Sequence, residues 1–202
     1  MQQYLQLFIN SAQKKGRRPG KCFVAAFTSA ESGEGVSYVA QSFGIELARK
    51  LGKRTLIADA RRLSHLDMLQ YSSVERHCFQ TKVANLWRLP PEEKIVNAAP
   101  SDDMGLQTHH GSDLAISFSN LQTLRFAFDY VLLDCPALNA SDEATLLAPE
   151  TDGVMVVVEA DRTRREQIQN AQQAIESANA ELLGFVLNKR QYTVPEWLYK
   201  RL

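Results

Sequence analysis

The residues best suited to chemistry in this chain lie in a glycine-rich segment, Ala30 to Ser37, directly after an apolar run. Gly33 and Gly35 leave room for a backbone that wraps around an anion, and Ser37 supplies a hydroxyl of the kind that binds magnesium. This spacing is typical of a phosphate-binding loop of the Walker A type, in which amides at a helix N-terminus hold phosphates. The sequence therefore predicts nucleotide contacts at Gly33, Glu34, Gly35, Val36, Ser37 and Tyr38.

One position departs from this pattern, because Val36 stands where a Walker A loop has its lysine. A charged donor to a phosphate contributes about 1.5–3 kcal/mol, so its loss lowers affinity by roughly ten- to a hundred-fold. Catalysis loses more, since the lysine also offsets charge that develops in the transition state. The alternative interpretation is a tight strand-to-helix turn, made by Gly33 and Gly35 and capped by Ser37. On the loop alone both interpretations stay open.

The elements around this loop alternate between strands and helices. Apolar runs of strand length cover residues 22–27, 55–58, 84–89, 128–133, 153–158 and 182–187. Apolar residues recur at helical spacing over 36–51, which Gly52 ends, and over 163–180. Strands that are apolar throughout are buried on both faces, and crossover helices make neighbouring strands parallel. The sequence predicts an α/β fold, a doubly wound and mostly parallel sheet with helices on both faces.

Ligands of such sheets bind at the carboxyl ends of the strands. The residues that follow the runs are Thr28-Ser29-Ala30, Asp59, Asp134, Glu159-Ala160-Asp161 and Asn188-Lys189. Three of these, Asp59, Asp134 and Asn188, are therefore expected near the glycine-rich loop. Asp134 and Asn188 also suit structural roles, since Asp134 can hydrogen-bond the neighbouring loop and Asn188 can bind a turn backbone.

The whole chain, residues 1–202, is expected to form a single domain. Residues 1–20 are interpreted as a short helix, with Tyr4, Leu5, Phe8 and Ile9 on one side, followed by a basic linker. This linker is a solvated connector or a contact for an anionic membrane surface or partner. Residues 21–190 form the predicted core and 191–202 a tail. The polar stretches 60–83 and 97–120 receive no assignment.

Composition narrows the class of protein. Hydrophobic residues make up 45% and charged residues 23%, and 23 basic residues balance 23 acidic ones, which argues against a nucleic-acid-binding protein. No apolar run is long enough to span a membrane, and Met1–Asn10 does not resemble a signal peptide. We therefore expect a cytoplasmic protein with reduced thiols. Cys22, Cys78 and Cys135 are these thiols, and Cys135 is not expected to be catalytic. No zinc site is expected, because His77-Cys78 and His109-His110 lack the spacing of one and His65 stands alone.

The chain resembles the bacterial tyrosine kinases (BY-kinases, CpsD/CapB type) of capsular and exopolysaccharide systems, within the MinD/ParA class of P-loop ATPases. Residues 23–62 are similar to the family's first strand, Walker A loop, helix and second Walker motif, and residues 128–138, FDYVLLDCPAL, to its Walker B strand. Residues 141–189 are similar to the following segment, down to the asparagine that borders the adenine pocket, here Asn188. The ending, VPEWLYKRL, is also similar to the tails of some members.

The resemblance implies roles for particular residues. It implies ATP or ADP with magnesium as ligands, Ser37, Asp59 and Asp134 as metal ligands, and Asp59 and Asp134 as catalytic carboxylates. It makes Tyr192 and Tyr199 the counterparts of the tyrosines that these kinases phosphorylate. It also implies assembly of several copies and a partner at the cytoplasmic face of a membrane polysaccharide co-polymerase, or chain-length protein.

The chain departs from the family pattern in four places. Val36 replaces the Walker A lysine, and Arg61 replaces the second aspartate of the family's Asp-x-Asp. The N-terminal stretch 3–8 lacks the arginines that build a ring-shaped oligomer, and the tyrosine cluster is reduced to two residues. These departures favour a degenerate pseudo-ATPase or pseudokinase with a vestigial magnesium site.

The alternative is an active ATP-binding tyrosine autokinase or ATPase of the same system with a substitute cation. Arg61, Lys53 or a lysine from a partner subunit are the candidates for that cation. ATP hydrolysis or phosphotyrosine that disappears with Asp134→Asn separates the two hypotheses.

Overall fold

The computed structural model describes residues 8–9, 22–66, 74–89 and 110–190 of the 202-residue chain. Within them, the strands are β1 Phe23–Ser29, β2 Thr55–Asp59, β3 Phe79–Gln80, β4 Leu86–Arg88, β5 Tyr130–Asp134, β6 Gly153–Glu159 and β7 Leu182–Asn188. They form one sheet in the order β3-β4-β2-β5-β1-β6-β7. All neighbouring strands are parallel except β3 and β4, which are antiparallel. The predicted α/β fold with a mostly parallel sheet is confirmed.

Burial explains why the central strands read as unbroken apolar runs. Every residue of β1 is buried, and in β6 all residues before Glu159 are buried. These strands lie inside the sheet and are covered on both faces, so apolar side chains are favoured at every position.

The helices are α1 Val36–Leu51, α2 Val74–His77, α3 His110–Ala127, α4 Glu143–Leu147 and α5 Arg165–Ser177, with 3₁₀ turns at Ala60–His65 and Ala148–Glu150. Side chains of β1 that alternate along the strand enter two separate hydrophobic clusters. Phe23, Ala25 and Phe27 pack with residues of α1, whereas Val24 and Ala26 belong to the cluster that includes residues of α3 and α5. Helices therefore cover both faces of the sheet, as predicted.

Helix α1 agrees closely with its prediction. It buries Val39, Ala40, Phe43 and Leu47 on one stripe and ends at Gly52, which adopts a left-handed conformation with φ of 60°. Leu51, at the end of the stripe, is 37% exposed.

Helix α3 was missed, because its apolar residues do not form one clean stripe. Leu121 and Leu124 are buried, whereas Ile116 and Phe126 are exposed. The polar stretch 97–120 thus contains the start of a helix, and the stretch 60–83 contains the first 3₁₀ turn, α2 and β3.

The two ends of the chain are only partly described. Phe8 and Ile9 are helical, in agreement with the predicted N-terminal helix, and Phe8 is buried with its ring edge against Phe23 and Phe43. The remainder of that helix, the basic linker and the tail with Tyr192 and Tyr199 lie outside the described residues. Within the described part, none of the helices has the length and apolar character needed to cross a lipid bilayer.

Candidate nucleotide-binding site

The glycine-rich loop connects the end of β1 to the start of α1 at the carboxyl edge of the sheet. Gly33 and Gly35 have φ angles of 87° and 93°, in the left-handed region that favours glycine. The N–H of Val39 donates to the carbonyl of Gly35 at 3.1 Å, which begins the helix directly at the loop. This is the strand–loop–helix arrangement that the glycine spacing predicts.

A cavity of about 410 Å³ opens between this loop and the segment after β5. Its lining residues come from the loop, the first turn of α1, the turn after β2 and the segment after β5: Ser29, Ser32, Gly33, Gly35, Val36, Ser37, Arg61, Asp134, Cys135, Pro136, Ala137 and Ala140. The hydroxyl of Thr28 donates to the carbonyl of Pro136 at 2.6 Å and ties the two sides of the cavity together. Burial raises the pKa of the Cys135 thiol well above its usual range, so the thiol is held in its protonated form.

The carboxylate of Glu34 turns away from the cavity and into the protein, where the residue is 1% exposed. Its Oε2 accepts from the N–H of Glu31 at 3.0 Å, and its Oε1 accepts from the N–H of Glu159 at 3.3 Å and from the Thr163 hydroxyl. Glu34 therefore fixes the loop to the end of β6. The side chain of this predicted contact residue is thus hydrogen-bonded inside the fold, which leaves the backbone of Glu34 as the part that a nucleotide could contact.

Two residues at the end of β7, Asn188 in its last position and Lys189 directly after it, hold the loop from the same side. Nδ2 of Asn188 donates to the carbonyl of Glu34 at 2.9 Å, and Nζ of Lys189 donates to the carbonyl of Gly33 at 2.6 Å. Nζ of Lys189 also lies 3.0 Å from Oε2 of Glu159. A Cβ on Gly35 would lie 2.3 Å from Nδ2 of Asn188, so this close approach requires glycine. We call Glu34, Asn188 and Lys189 the loop clamp.

Arg61 and Asp59 form a pair at the end of β2. The N–H of Arg61 donates to Oδ1 of Asp59 at 3.1 Å and starts the 3₁₀ turn. The guanidinium folds back on the same carboxylate, with Nε 3.0 Å from Oδ1 and Nη2 2.7 Å from Oδ2. Asn120 of α3 holds this turn, because its buried Nδ2 donates to the carbonyls of Leu63 and Leu66, each at 2.6 Å. Both oxygens of Asp59 are thus engaged by one arginine.

Three carboxylates share the neighbourhood of Arg61. Asp134 pairs with Asp59 in the β2–β5 register, and Glu143 begins α4. Burial raises the pKa of Asp134, the hydrogen bond from Ser37 opposes this shift, and the charge of Asp59 adds to it. Burial also raises the pKa of Glu143, reinforced by the charge of Asp59. The hydrogen bonds to Asp59 and the charges of all three carboxylates raise the pKa of Arg61, so the guanidinium stays protonated. We call Ser37, Asp59, Arg61 and Asp134 the cation edge.

The residues of the cation edge fit a magnesium ion poorly as they stand. Both oxygens of Asp59 are bound to Arg61, whose guanidinium lines the same cavity as Ser37 and Asp134. Among the described residues, no three or more carboxylate, histidine or cysteine side chains form a group that could hold a metal ion. Magnesium prefers several oxygen ligands in near-octahedral geometry, which this arrangement does not supply.

The structure brings together most, but not all, of the predicted site residues. Ser37 lines the cavity, as the spacing of the glycine-rich loop predicts. Asp134 lines the same cavity and Asp59 is bound to Arg61, as their positions at strand ends predict. Asn188 reaches the loop, but its side chain binds the loop backbone, the structural alternative named for it. Tyr38 is 66% exposed and is absent from the cavity lining.

One candidate for a substitute cation is wrong. Lys53 precedes β2, and its Nζ lies 3.9 Å from Oδ1 of Asp129, which precedes β5. Because β2 and β5 are parallel, this pair lies at the amino edge of the sheet, opposite the loop. Lys189 is the lysine that reaches the loop, and it was missed as a partner. Its position directly after β7 predicts that it lies at the same edge of the sheet as the loop. The spacing of residues does not predict which atom its flexible side chain binds.

Comparisons with curated proteins agree with this geometry, although no model of a known protein family matches the chain. The chain is 31% identical over 175 residues to the succinoglycan biosynthesis transport protein ExoP of Rhizobium meliloti, covering 82% of this chain but only 22% of ExoP. It is 25% identical over 182 residues to the tyrosine-protein kinase CpsD of Streptococcus agalactiae, covering 82% of this chain and 75% of CpsD. For CpsD of Streptococcus pneumoniae serotype 4, identity is 24% over 208 residues, with 97% and 87% covered.

Solved structures share the fold at lower identity. The kinase domain of the Escherichia coli tyrosine kinase ETK superposes with a TM-score of 0.64 at 14% identity, covering 95% of this chain and 78% of that one. The chimerical protein CapA2B2 gives 0.63 at 22% identity, with 91% and 81% covered. The septum site-determining protein MinD of Pyrococcus horikoshii, solved with Mg-ADP, gives 0.58 at 17% identity, with 89% and 76% covered.

The strand order and the loop between β1 and α1 belong to a fold that the chain shares with MinD and with the kinase domain of ETK. In sequence, the chain is similar to the tyrosine-protein kinases CpsD and to about a fifth of the length of ExoP. These matches support the resemblance to the BY-kinases.

Proposed function

We propose that this chain is a catalytically impaired pseudo-ATPase or pseudokinase that keeps the shape of a nucleotide site without the charges that drive phosphoryl transfer. One observation carries the proposal. Arg61 is the basic residue in the lining of the cavity, and its guanidinium is committed to both oxygens of Asp59. Val36 lines the cavity at the position of the missing lysine and offers no donor. Positioning and electrostatic stabilisation are most of phosphoryl-transfer catalysis, so this loss is severe.

The loop clamp supports the same proposal. Lys189 approaches the loop, but its Nζ binds the Gly33 carbonyl and Glu159, and the residue does not belong to the cavity lining. A lysine that binds a loop carbonyl stabilises the loop and does not neutralise a phosphate. A ligand in this cavity would therefore rely on backbone amides and the N-terminus of α1. Such a site fits weak binding of ATP or ADP as a structural ligand.

The cellular setting of the proposal comes from the relatives. ExoP is named as a transport protein of succinoglycan biosynthesis, and CpsD is named as a tyrosine-protein kinase. We extend this setting to the chain as a cytoplasmic partner or regulator in exopolysaccharide or capsule biosynthesis and export. Its docking site would be the cytoplasmic face of a membrane polysaccharide co-polymerase, with assembly of several copies as the second form of association.

A second candidate function has one observation in its favour. Arg61 lines the same cavity as Ser37 and Asp134, so a guanidinium released from Asp59 would face a bound phosphate. The chain would then be an active autokinase or ATPase that uses Arg61 as its phosphate cation and Tyr192 and Tyr199 as acceptors. This candidate requires the breakage of a bidentate ion pair before phosphate binds.

Isothermal titration of the purified chain with ATP and with ADP, each with and without magnesium, tests the proposal. We expect weak or undetectable binding at millimolar nucleotide, and no dependence on magnesium. ATP hydrolysis and phosphotyrosine are measured on the wild type and on Asp134→Asn. Tight magnesium-dependent binding, or an activity that Asp134→Asn abolishes, would overturn the proposal in favour of the second candidate.

A further inference from the structure

Arg61 binds the Asp59 carboxylate, which a divalent metal ion would otherwise use as a ligand. The guanidinium and the backbone N–H of the same residue supply three hydrogen bonds to the Asp59 carboxylate. A divalent cation that used this carboxylate would have to displace a fork of two N–H donors with distances of 2.7 and 3.0 Å. Bidentate arginine–carboxylate pairs are among the stronger polar contacts in proteins.

The charges around Arg61 point the same way. Asp59 and Asp134 lie side by side at the ends of β2 and β5, and Arg61 lines the same cavity as Asp134 while pairing with Asp59. The two carboxyl groups form a place that suits a cation, and the guanidinium of Arg61 occupies it. A divalent metal ion bound at the same place would lie close to the positive guanidinium, and the two charges would repel each other strongly.

The position of Arg61 is fixed by the fold. The 3₁₀ turn that carries it begins on Asp59, buries Leu63 and is bound through two backbone carbonyls by the buried Asn120. The guanidinium therefore starts from an anchored backbone, although its side chain is 67% exposed. An anchored arginine loses less conformational entropy in a persistent ion pair than one on a free loop.

We infer that Arg61 fills the place that a divalent cation would take beside Asp59, so that the cation edge excludes divalent metal until Arg61 is removed. The inference deepens the proposed function and rests on it for the interpretation of this cavity as a nucleotide site. Its test uses the metal alone, so that it succeeds or fails independently of nucleotide binding.

The experiment measures free Mn²⁺ by electron paramagnetic resonance during titration of the full chain. The variants are Arg61→Asp, which adds a carboxylate beside Asp59, and Arg165→Asp as a matched control. Arg165 is exposed at the start of α5, so it carries the same change of charge away from the cavity. A third variant, Arg61→Asp with Asp134→Asn, removes one proposed ligand.

We expect no specific Mn²⁺ binding by the wild type or by Arg165→Asp. Arg61→Asp should bind Mn²⁺ at least about ten-fold more tightly than either, because a repelling charge becomes a ligand. The double variant should lose that gain. Equal binding by wild type and Arg61→Asp would overturn the inference, as would a gain of the same size in Arg165→Asp. Circular dichroism confirms that each variant is folded, and if Arg61→Asp unfolds, Arg61→Gln replaces it, with a smaller gain expected and an unchanged affinity counting against the inference.

Discussion

The loop clamp and the cation edge lie at the same end of the sheet but differ in what their side chains bind. On the clamp side, Glu34, Asn188 and Lys189 hold the glycine-rich loop through backbone carbonyls, a backbone N–H and a buried carboxylate. On the cation edge, the guanidinium of Arg61 is paired with Asp59, and Val36 of the loop lines the same cavity without a charge. Under the proposed function, the protein's own contacts maintain the shape of a phosphate site, whereas its catalytic charges are absent or neutralised. Shape and charge are separable properties of such a site.

The first prediction breaks the clamp at Gly35. Gly35→Ala places a Cβ against Nδ2 of Asn188 on a residue with φ of 93°, and should lower the free energy of unfolding by about 2–3 kcal/mol. Gly33→Ala is the matched control, because its φ is 87° but no atom lies within 4 Å of the added Cβ. It should cost only about 1 kcal/mol. Urea denaturation measures both values, and equal costs would show that the Asn188 contact does not constrain the loop.

The second prediction compares a residue of the clamp with one of the cation edge. Glu34→Gln replaces a buried acceptor with an amide whose N–H₂ faces donors, and should lower the free energy of unfolding by about 2 kcal/mol.

Arg61→Ala is the companion variant and should change stability by less than about 1 kcal/mol, because its ion pair is largely exposed. The same urea titration applies to both proteins. A larger loss in Arg61→Ala than in Glu34→Gln would mean that the cation edge, and not the clamp, supports the fold.

The smallest effect concerns the buried carboxylate of the cation edge. Burial raises the pKa of Asp134 above 3.8 in the folded protein, so the folded state favours the protonated form and this stabilisation is lost as pH rises through the folded pKa. Asp134→Asn removes the buried charge and keeps an acceptor for Ser37. The variant should therefore be slightly more stable than the wild type at pH 7, and the difference should shrink toward pH 4.

Thermal unfolding at several pH values between 4 and 7 measures this difference. An advantage that grows toward acid pH would contradict the stated cause, since it would require a carboxylate whose pKa is lowered by folding.

The sequence predicts the fold better than it predicts the site. Buried parallel strands such as β1 and β6 need apolar residues at every position, so their runs are visible without a structure. Helix α1 shows its stripe and its terminating Gly52 for the same reason. Helix α3 was not predicted, because its exposed apolar residues Ile116 and Phe126 interrupt the helical spacing of its buried ones.

Within the site, strand ends predict which residues meet, because parallel strands present their carboxyl ends at one edge. Asp59 and Asp134 were located in this way, and Ser37 by the spacing of the glycine-rich loop. Strand ends do not predict what a side chain binds when several partners lie within reach. Arg61 binds Asp59, and Lys189 binds Gly33 and Glu159. These contacts depend on side-chain rotamers that are set only in the completed fold. The inward turn of Glu34 likewise depends on Thr163, which is 129 residues away in the chain.

The most direct test of the separation of shape and charge restores the missing lysine. Isothermal titration with ATP, with and without magnesium, compares the wild type with Val36→Lys. If the clamp maintains a competent loop, Val36→Lys should bind ATP roughly ten- to a hundred-fold more tightly than the wild type, whose binding should be weak or undetectable. Tight magnesium-dependent binding by the wild type, or no gain in a folded Val36→Lys, would contradict the account.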